Sequence, residues 1–280
     1  MKAKDIRKLV RDRYSGIARQ NGSCCSTGRS SCCSATTEAS TAQIISKTIG
    51  YTTEEMSSVP ERSNLGLGCG NPTIMSSLKK GETVLDLGSG AGFDCFLAAQ
   101  AVGKKGRVIG VDMTPDMVER ARENAESAGY RNAEFRLGEI ENLPVVDSSV
   151  DLIISNCVIN LAVEKSRVFR EAFRVLKPGG RMMISDIVLL DVLPARIVES
   201  AAAYTGCVSG ASLREEYLEL IHGAGFEDIR IVSETSFSGD LLLNDPIARS
   251  LKAEGSITES NLVDIAAKIV SITVSAVKPE

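Results

Sequence analysis

The stretch VLDLGSGAG, residues 84–92, decides the fold class. A short apolar run that carries Asp86 passes into a turn with glycine at every second position, which is typical of a strand followed by a helix. Glycine in such a turn lets a ligand approach the backbone, and the free N–H groups of the next helix favour an anionic group. The dinucleotide fingerprint GxGxxG requires another glycine where this chain has Phe93, so the pattern argues against NAD.

Short apolar runs and helical patterns alternate after this turn. Each apolar run is nearly continuous, as expected for strands that are covered on both faces. The rhythm predicts an α/β fold with a doubly wound, mostly parallel sheet. The predicted strands cover 83–88, 107–112, 133–138, 150–156 and 181–189, the last introduced by the turn KPGG, and the predicted helices cover 93–103 and 114–129.

The segments on either side of this core have different patterns. Residues 4–20 place apolar side chains at helical spacing, whereas the Ser-, Thr- and Cys-rich stretch after them holds too little apolar surface to order itself. Residues 51–72 are rich in turn formers, so we expect a long loop there. Later patterns predict helices at 195–203 and 212–224, a strand at 227–234, a helical insertion over 241–268 and an edge strand at 270–278.

Composition excludes several classes of protein. Among 280 residues, 32 Lys and Arg stand against 36 Asp and Glu, and a net charge of −4 argues against a nucleic-acid binder. No apolar run approaches the roughly 18 residues that a membrane helix requires, so we expect a cytoplasmic protein without a membrane partner. The chain has 8 cysteines and a single histidine, His222. In a reducing compartment we expect those cysteines to have a metal or redox task, and one imidazole cannot build a zinc site of several histidines.

A second acid strengthens the case for a bound small molecule. Asp112 ends the next predicted strand, 20 residues after Gly92, where a ribose diol lies in a doubly wound fold. A carboxylate at that point can accept hydrogen bonds from both ribose hydroxyls.

Five stretches then stand in the order and spacing of a known superfamily. They are VLDLGSGAG, GVDMTPDMVERAR, GEIENLP, VDLIISN and LKPGG, and with them the sequence resembles the class I S-adenosylmethionine-dependent methyltransferases. The resemblance implies a Rossmann-like fold and S-adenosylmethionine as the cofactor. It assigns Asp86, Gly88, Ser89 and Gly90 to the amino-acid part of the cofactor, Asp112 and Met113 to the ribose and adenine, Glu139 and Ile140 to the adenine edge, and Asn156 to the methionyl end.

The same resemblance suggests how the chain divides into parts. A central catalytic domain binds the cofactor, and less regular segments flank it. The expected parts are an N-terminal helix with a flexible segment over 1–42, the S-adenosylmethionine-binding domain over 43–235, and a C-terminal α+β extension over 236–280 that completes the sheet or forms a small subdomain.

Three cysteines stand where ligands bind in such sheets. Cys157 follows VDLIISN directly, at the carboxyl end of a predicted strand, and Cys69 lies in the loop before the first core strand. Cys207 follows the helix after the strand that ends near Asp186. Soft thiolates select soft partners such as zinc, cuprous copper or trivalent arsenic. We therefore expect these three thiols to converge over one site.

The sequence around these cysteines is similar to that of the arsenite methyltransferases. The similar stretches are NLGLGCGNP, SNCVINL and TGCVSGA, together with the beginning DRYSGIAR…CC, and they extend over nearly the whole chain. The family implies that Cys69, Cys157 and Cys207 bind arsenic and are the catalytic thiols. It also uses a cysteine nearer the N-terminus, for which this chain offers four candidates, Cys24, Cys25, Cys32 and Cys33. Cys95 is interpreted as a core residue.

The implied chemistry agrees with the composition. Trivalent arsenic bound by three sulfurs keeps a lone pair, so no base has to remove a proton, which suits a protein with one histidine. The partner is arsenite or an arsenite–thiol conjugate. Methyl transfer oxidises arsenic by two electrons, which a neighbouring pair of cysteines supplies by forming a disulfide. A cellular thiol reductant of the thioredoxin or glutathione type then restores the thiols.

Two other functions compete with arsenic detoxification. A methyltransferase that acts on a carbon or sulfur atom of a small organic molecule would share the cofactor residues, but it leaves three converging cysteines unexplained. A thiol-based metalloid binder or sensor without catalysis would use the cysteines alone.

Overall fold

The computed structural model describes residues 3–20, 41–236 and 259–280. Seven strands are present in these residues: β1 (Thr83–Leu87), β2 (Arg107–Asp112), β3 (Ala133–Leu137), β4 (Val150–Asn156), β5 (Leu176–Leu189), β6 (Glu227–Ser236) and β7 (Ile269–Val277). They form one sheet in the order β3-β2-β1-β4-β5-β7-β6. Strands β1 to β5 pair in parallel, and β7 is antiparallel to β5 and β6. The predicted doubly wound, mostly parallel sheet is confirmed.

Helices surround the sheet and connect its strands. The helices are α1 (Ala3–Gln20), α2 (Thr41–Thr48), α3 (Thr53–Ser58), α4 (Pro72–Met75), α5 (Phe93–Val102), α6 (Pro115–Ser127), α7 (Lys165–Val175), α8 (Ala195–Val198), α9 (Ala201–Thr205), α10 (Arg214–Gly223) and α11 (Glu259–Ala266). Short 3₁₀ turns lie at Glu61–Ser63 and Ile159–Leu161. No described helix has the length and apolar character needed to cross a membrane.

Alternate side chains of β1 face two different hydrophobic layers. Leu85 and Leu87 belong to a buried cluster that includes Phe169 of α7. Val84 points the other way and packs in a cluster with Phe96 of α5. This two-residue period covers both faces of the sheet, so a ligand has access only where the strands end.

The sequence placed the KPGG motif before the strand, whereas the structure includes it in β5. Strand β5 begins at Leu176 and includes the motif, and its pairing with β4 jumps from Val150↔Leu176 to Leu152↔Arg181. The four motif residues therefore stand opposite the single residue Asp151 of β4, so β5 carries three extra residues there, and Gly179 adopts a φ of 71°. Because the chain direction is unchanged across the insertion, the strand continues instead of ending.

The strand predicted at 270–278 is present, but the prediction that it lies at the edge of the sheet is wrong. Strand β7 lies between β5 and β6, and β6 forms the edge. The polar residues Ser271 and Thr273 of β7 are both buried. Their hydroxyls have partners inside the protein, since Ser271 Oγ donates to Cys69 O at 2.7 Å and Thr273 Oγ1 lies 2.9 Å from Ser185 Oγ.

Two segments differ from their predicted secondary structure. Residues 51–72 are not a continuous loop, because α3 begins with a capping box in which Thr52 and Glu55 bond to each other's backbone N–H groups. The predicted helix at 195–203 is divided into α8 and α9, and Ser200 caps the second of them. Of the insertion predicted over 241–268, only the part from Glu259 is described.

Helix α1 lies across the carboxyl ends of the strands. Tyr14 Oη donates to Thr205 O at 3.3 Å, and Arg19 Nε lies 2.8 Å from Asp116 Oδ1. From the other side, Arg120 Nη1 donates to Ala18 O at 2.8 Å. The predicted N-terminal helix therefore covers the edge of the sheet where ligands bind in this architecture.

Candidate functional site

The turn after β1 has the conformation that its glycines predict. Gly88 and Gly90 have φ values of 69° and 51°, in the left-handed region. A Cβ atom on Gly88 would lie 2.4 Å from a methyl carbon of Val158, so only glycine fits. A Cβ on Gly90 would have no described atom within 4 Å, which shows that the turn faces open space. The buried hydroxyl of Ser89 has no hydrogen-bond partner among the described residues.

A cavity opens beside this turn, beneath α1. Eight of the nine residues predicted to bind the cofactor line it: Asp86, Gly88, Ser89, Gly90, Asp112, Met113, Ile140 and Asn156. Glu139 is not in the lining and lies 3.3 Å from Arg7 Nε, whereas the nearby Glu141 does line the cavity. The sequence therefore located the cavity wall from residues on four separate segments.

Asp112 is fixed at the end of β2 by two backbone donors. Thr114 N donates to its Oδ1 at 2.8 Å, and Gly90 N donates to its Oδ2 at 3.0 Å. Burial raises the pKa of this carboxyl group, and the two N–H groups act in the opposite direction. Each carboxylate oxygen keeps lone pairs free for hydroxyl donors in the cavity.

Asp94 and Tyr51 also line the cavity, although they were not among the residues predicted from the sequence. Tyr51 Oη donates to Asp94 Oδ1 at 2.6 Å, and Asn156 Nδ2 lies 2.9 Å from Tyr51 Oη. Burial raises the pKa of Asp94 to about 6. Burial also raises the pKa of Asp86 well above its usual range, and the negative charge of the neighbouring Asp94 adds to this shift. The position of Asp94 in the first turn of α5, directly after the glycine turn, could have identified it as a site residue. No motif near Tyr51 in the sequence indicates a role in the site.

The loop that carries Cys69 is held against β4 and β7. Cys69 N donates to Asn156 Oδ1 at 2.9 Å, and Ser271 Oγ donates to Cys69 O at 2.7 Å. A Cβ on Gly68 would lie 2.6 Å from Asn156 Nδ2, and a Cβ on Gly70 would lie 2.7 Å from Ser185 Oγ. The Gly-Cys-Gly sequence is therefore required for the loop to approach these strands.

The three predicted thiols come together beside the cavity. Cys207 Sγ donates to Cys157 O at 2.9 Å, and all three cysteines belong to one buried cluster. Cys157 and Cys207 have φ values of 58° and 62°, which non-glycine residues rarely adopt and which often mark functional sites. The sulfur atoms of Cys69 and Cys157 and a carboxylate oxygen of Asp186 all lie within 4.8 Å of one another.

The environment keeps two of these thiols protonated. Hydrogen bonds with Cys207 and Cys69, together with burial, raise the pKa of Cys157 well above its usual range. For Cys207 the hydrogen bond with Cys157 lowers the pKa, but burial and the charge of Asp186 outweigh it and the net shift is upward. Tyr14 of α1 packs against the same cluster.

The remaining cysteines and the histidine lie elsewhere. Cys95 is fully buried, as predicted for a core residue, and its thiol donates to Asp86 Oδ2 at 3.2 Å. His222 is exposed in the last turn of α10. The four candidates of the N-terminal segment, Cys24, Cys25, Cys32 and Cys33, lie outside the described residues.

Comparisons with known proteins agree on one group. A family described as "Methyltransferase domain" matches residues 78–225. An arsenite methyltransferase of Halobacterium salinarum is 49% identical over 245 residues, which are 84% of this chain and 62% of that protein. An arsenite methyltransferase of Aquipseudomonas alcaligenes is 41% identical over 186 residues, 64% of this chain and 53% of that protein. The chain therefore spans less than two thirds of the length of these curated relatives.

A solved structure is similar over a larger share of its length. The crystal structure of an arsenic(III) S-adenosylmethionine methyltransferase from Chlamydomonas reinhardtii matches with a TM-score of 0.62 and 33% identity. The match covers 84% of this chain and 73% of that one.

The close approach of Gly70 to Ser185 leads to a prediction about stability. We expect Gly70→Ala to lower the free energy of unfolding by about 1–3 kcal/mol, because the added methyl group overpacks a buried contact. Gly223→Ala is the matched control, since a Cβ there meets no described atom within 4 Å. Denaturant titration of both variants measures the difference, and equal stability of the two would contradict the seating of the loop.

Proposed function

Because this chain belongs to the arsenite methyltransferase family, we propose that it transfers methyl groups from S-adenosylmethionine to arsenic bound by Cys69, Cys157 and Cys207. Such a reaction serves arsenic detoxification. The observation that carries the proposal is the convergence of three thiols from separate loops, beside a cavity lined by the predicted cofactor residues. Three soft sulfur ligands suit trivalent arsenic, whereas a carbon or sulfur acceptor has no use for them.

The cavity fits S-adenosylmethionine on the evidence of its own groups. The unpartnered hydroxyl of Ser89 and the open side of Gly90 suit the amino-acid part, together with Asp86 and Gly88. The free lone pairs of Asp112 suit the ribose hydroxyls, with Met113 beside them. We assign Ile140 and Glu139 to the adenine edge and Asn156 to the methionyl end. When bound, S-adenosylmethionine supplies an electrophilic methyl group.

The protonated thiols are suited to bind arsenite by condensation. Each thiol forms an arsenic–sulfur bond while its proton leaves with one hydroxyl group of arsenite as water, so three thiols and As(OH)₃ give a trithiolate and three waters. An arsenite–thiol conjugate exchanges its thiols in the same way. The raised pKa values of Cys157 and Cys207 are then an advantage, because no thiolate charge has to be buried before arsenic arrives.

The roles of the protein are therefore positioning and exclusion of water. Arsenic bound by three sulfurs keeps a lone pair, so no side chain has to act as a general base. The three sulfurs fix the direction of that lone pair. Tyr14 and the apolar residues around the thiols shield the site from water.

Repeated turnover requires two electrons for each methyl group. We propose that a pair of cysteine thiols supplies them, forming a disulfide and releasing two protons. Cys24, Cys25, Cys32 and Cys33 are the candidates for this step, alone or with a cysteine of the site. A cellular thiol reductant of the thioredoxin or glutathione type then reduces the disulfide, which favours a cytoplasmic location.

Speciation of arsenic tests the proposed reaction directly. After incubation with arsenite, a thiol reductant and S-adenosylmethionine, we expect methylated arsenic in the products. Chromatography with elemental detection separates the species. If arsenite binds but returns only as inorganic arsenic, the protein is a metalloid binder or sensor, and if arsenite does not bind, a small organic acceptor becomes the better hypothesis.

The thiol at the centre of the cluster should be indispensable for transfer. We expect Cys157→Ser to abolish methylation, because a hydroxyl cannot replace the soft sulfur ligand, while the affinity for S-adenosylmethionine is largely retained. Isothermal titration with cofactor and product analysis measure the two effects separately. Cys95→Ala removes a buried thiol outside the cluster and should leave the binding of arsenite intact. Unchanged turnover of the Cys157 variant would remove this residue from the site.

Replacement of Asp112 should weaken the binding of the cofactor but not the binding of arsenite. Asp112→Ala removes acceptors for two hydroxyls, and since each hydrogen bond to a charged group contributes about 1.5–3 kcal/mol, cofactor affinity should fall at least about ten-fold. Arsenite binding should be unchanged. Asp147→Ala is the control, because this acid pairs with Arg174 on the surface and lies away from the cavity. A cofactor titration equal to that of wild type would defeat the assignment.

A further inference from the structure

Asp186 is buried beside the thiols, but the methyl-transfer chemistry does not use it. It lies on β5 with 0% of its surface exposed. One of its carboxylate oxygens lies within 4.8 Å of the sulfur atoms of both Cys69 and Cys157. In the described part of the chain it takes part in none of the salt bridges. Hydrogen bonds offset part of the cost of burying this carboxyl group, but no salt bridge among the described residues neutralises its charge.

We propose that Cys69, Cys157 and Asp186 form a second ligand set, which binds a thiophilic divalent cation such as Zn²⁺ or Cd²⁺ in competition with arsenite. The two ligand sets share two thiols and differ in the third ligand. Arsenic takes the sulfur of Cys207, whereas the cation takes the oxygen of Asp186. The competition with arsenite rests on the proposed function, but the cation site itself does not.

The carboxyl group of Asp186 is held as metal-binding carboxylates usually are. Its Oδ1 accepts from Asn160 Nδ2 at 2.9 Å and from Ile187 N at 3.0 Å, and its Oδ2 accepts from Tyr217 Oη at 3.2 Å. Asn160 and Tyr217 are themselves fully buried. Such outer partners orient a ligating group and keep it in place before the metal arrives.

The distances suit a small tetrahedral cation. Zinc lies about 2.0–2.3 Å from oxygen and sulfur ligands, so its ligand atoms are about 3.5 Å apart. Two thiols and an oxygen that already lie within 4.8 Å of one another reach this spacing by small side-chain rotations. Because Cys157 lines the cavity, a fourth ligand would reach the cation from the cavity side.

The charges of the site also favour a cation. Two thiolates and a carboxylate carry three negative charges, of which a divalent cation neutralises two. Burial lowers the pKa of Lys165, whereas the charges of Asp186 and Cys207 act in the opposite direction, and the ammonium group of Lys165 donates to Gly210 O at 2.6 Å. It balances the remaining charge, so the occupied site is close to neutral, as a buried site requires.

Two variants test the two ligand sets against each other. Asp186→Asn removes the charged oxygen but keeps the shape of the side chain. In the wild type Tyr217 Oη donates to Asp186 Oδ2, and in the variant the amide nitrogen can donate to Tyr217 Oη instead. Cys207→Ser removes the sulfur that only arsenic uses. Both are made in a full-length background in which the N-terminal thiols cannot bind metal, with serine at four positions: Cys24, Cys25, Cys32 and Cys33.

Cadmium titration, followed by the ultraviolet absorption of cadmium–thiolate bonds, should separate the variants. Loss of an outer partner alone costs 10- to 100-fold in metal affinity, so we expect Asp186→Asn to lower Cd²⁺ affinity at least about ten-fold and to retain arsenite binding. Cys207→Ser should weaken arsenite binding and retain the affinity for Cd²⁺. Cd²⁺ should displace arsenite from the background protein. A phosphine reductant keeps the thiols reduced without binding the metal.

Each other outcome overturns the inference. If Asp186→Asn binds Cd²⁺ as the background does, or if Cys207→Ser loses Cd²⁺ affinity, the cation uses the three sulfurs and Asp186 is not a ligand. Should Asp186→Asn fail to fold, Tyr217→Phe replaces it, because loss of the bond to Oδ2 should weaken Cd²⁺ binding and leave arsenite binding intact. Failure of the background protein to bind arsenite would contradict the proposed function instead, and Cd²⁺ binding would still be measured.

Discussion

The hydrogen bonds on both sides of Cys69 are the constraint on which the rest of the site depends. Asn156 accepts from the N–H of Cys69, and Ser271 donates to its carbonyl oxygen. These partners lie 87 and 202 residues away in the chain, so the position of the loop depends on two strands that are distant from it in the sequence. Asn156 also bonds to Tyr51 in the cavity wall, which connects the position of one thiol to the shape of the cofactor cavity.

Burial and protonation then determine how the thiols work. A neutral thiol in an apolar cluster costs little free energy, whereas a buried thiolate would need a counter-charge. The raised pKa of Cys157 therefore keeps the empty site stable and reserves the charge for the moment when a ligand arrives. The left-handed backbone at Cys157 and Cys207 adds local strain, which the bond from Cys207 Sγ to Cys157 O helps to hold.

The sequence predicted those parts of the structure that depend on local patterns. Strands β2 and β4 have the predicted bounds, because continuous apolar runs end at polar residues. The convergence of the thiols followed from the rule that ligands lie at the carboxyl ends of strands. The interior place of β7 could not be predicted, because Ser271 and Thr273 resemble edge residues until their buried partners are known. Asp186 was missed for the same reason, since Asn160 and Tyr217 come from other elements.

In the two proposed ligand sets, the choice between arsenic and a divalent cation depends on one ligand. Cys69 and Cys157 serve either, and sulfur affinity alone cannot distinguish them, because zinc and cadmium are also thiophilic. What differs is geometry: a pyramidal arsenic with a lone pair needs three ligands on one side, whereas a tetrahedral cation accepts an oxygen and a water. Cys207 supplies the first arrangement and Asp186 the second. Under this proposal, selectivity for arsenic depends on keeping Cys207 close to Cys157, and the left-handed backbone of Cys207 and its bond to Cys157 O hold it there.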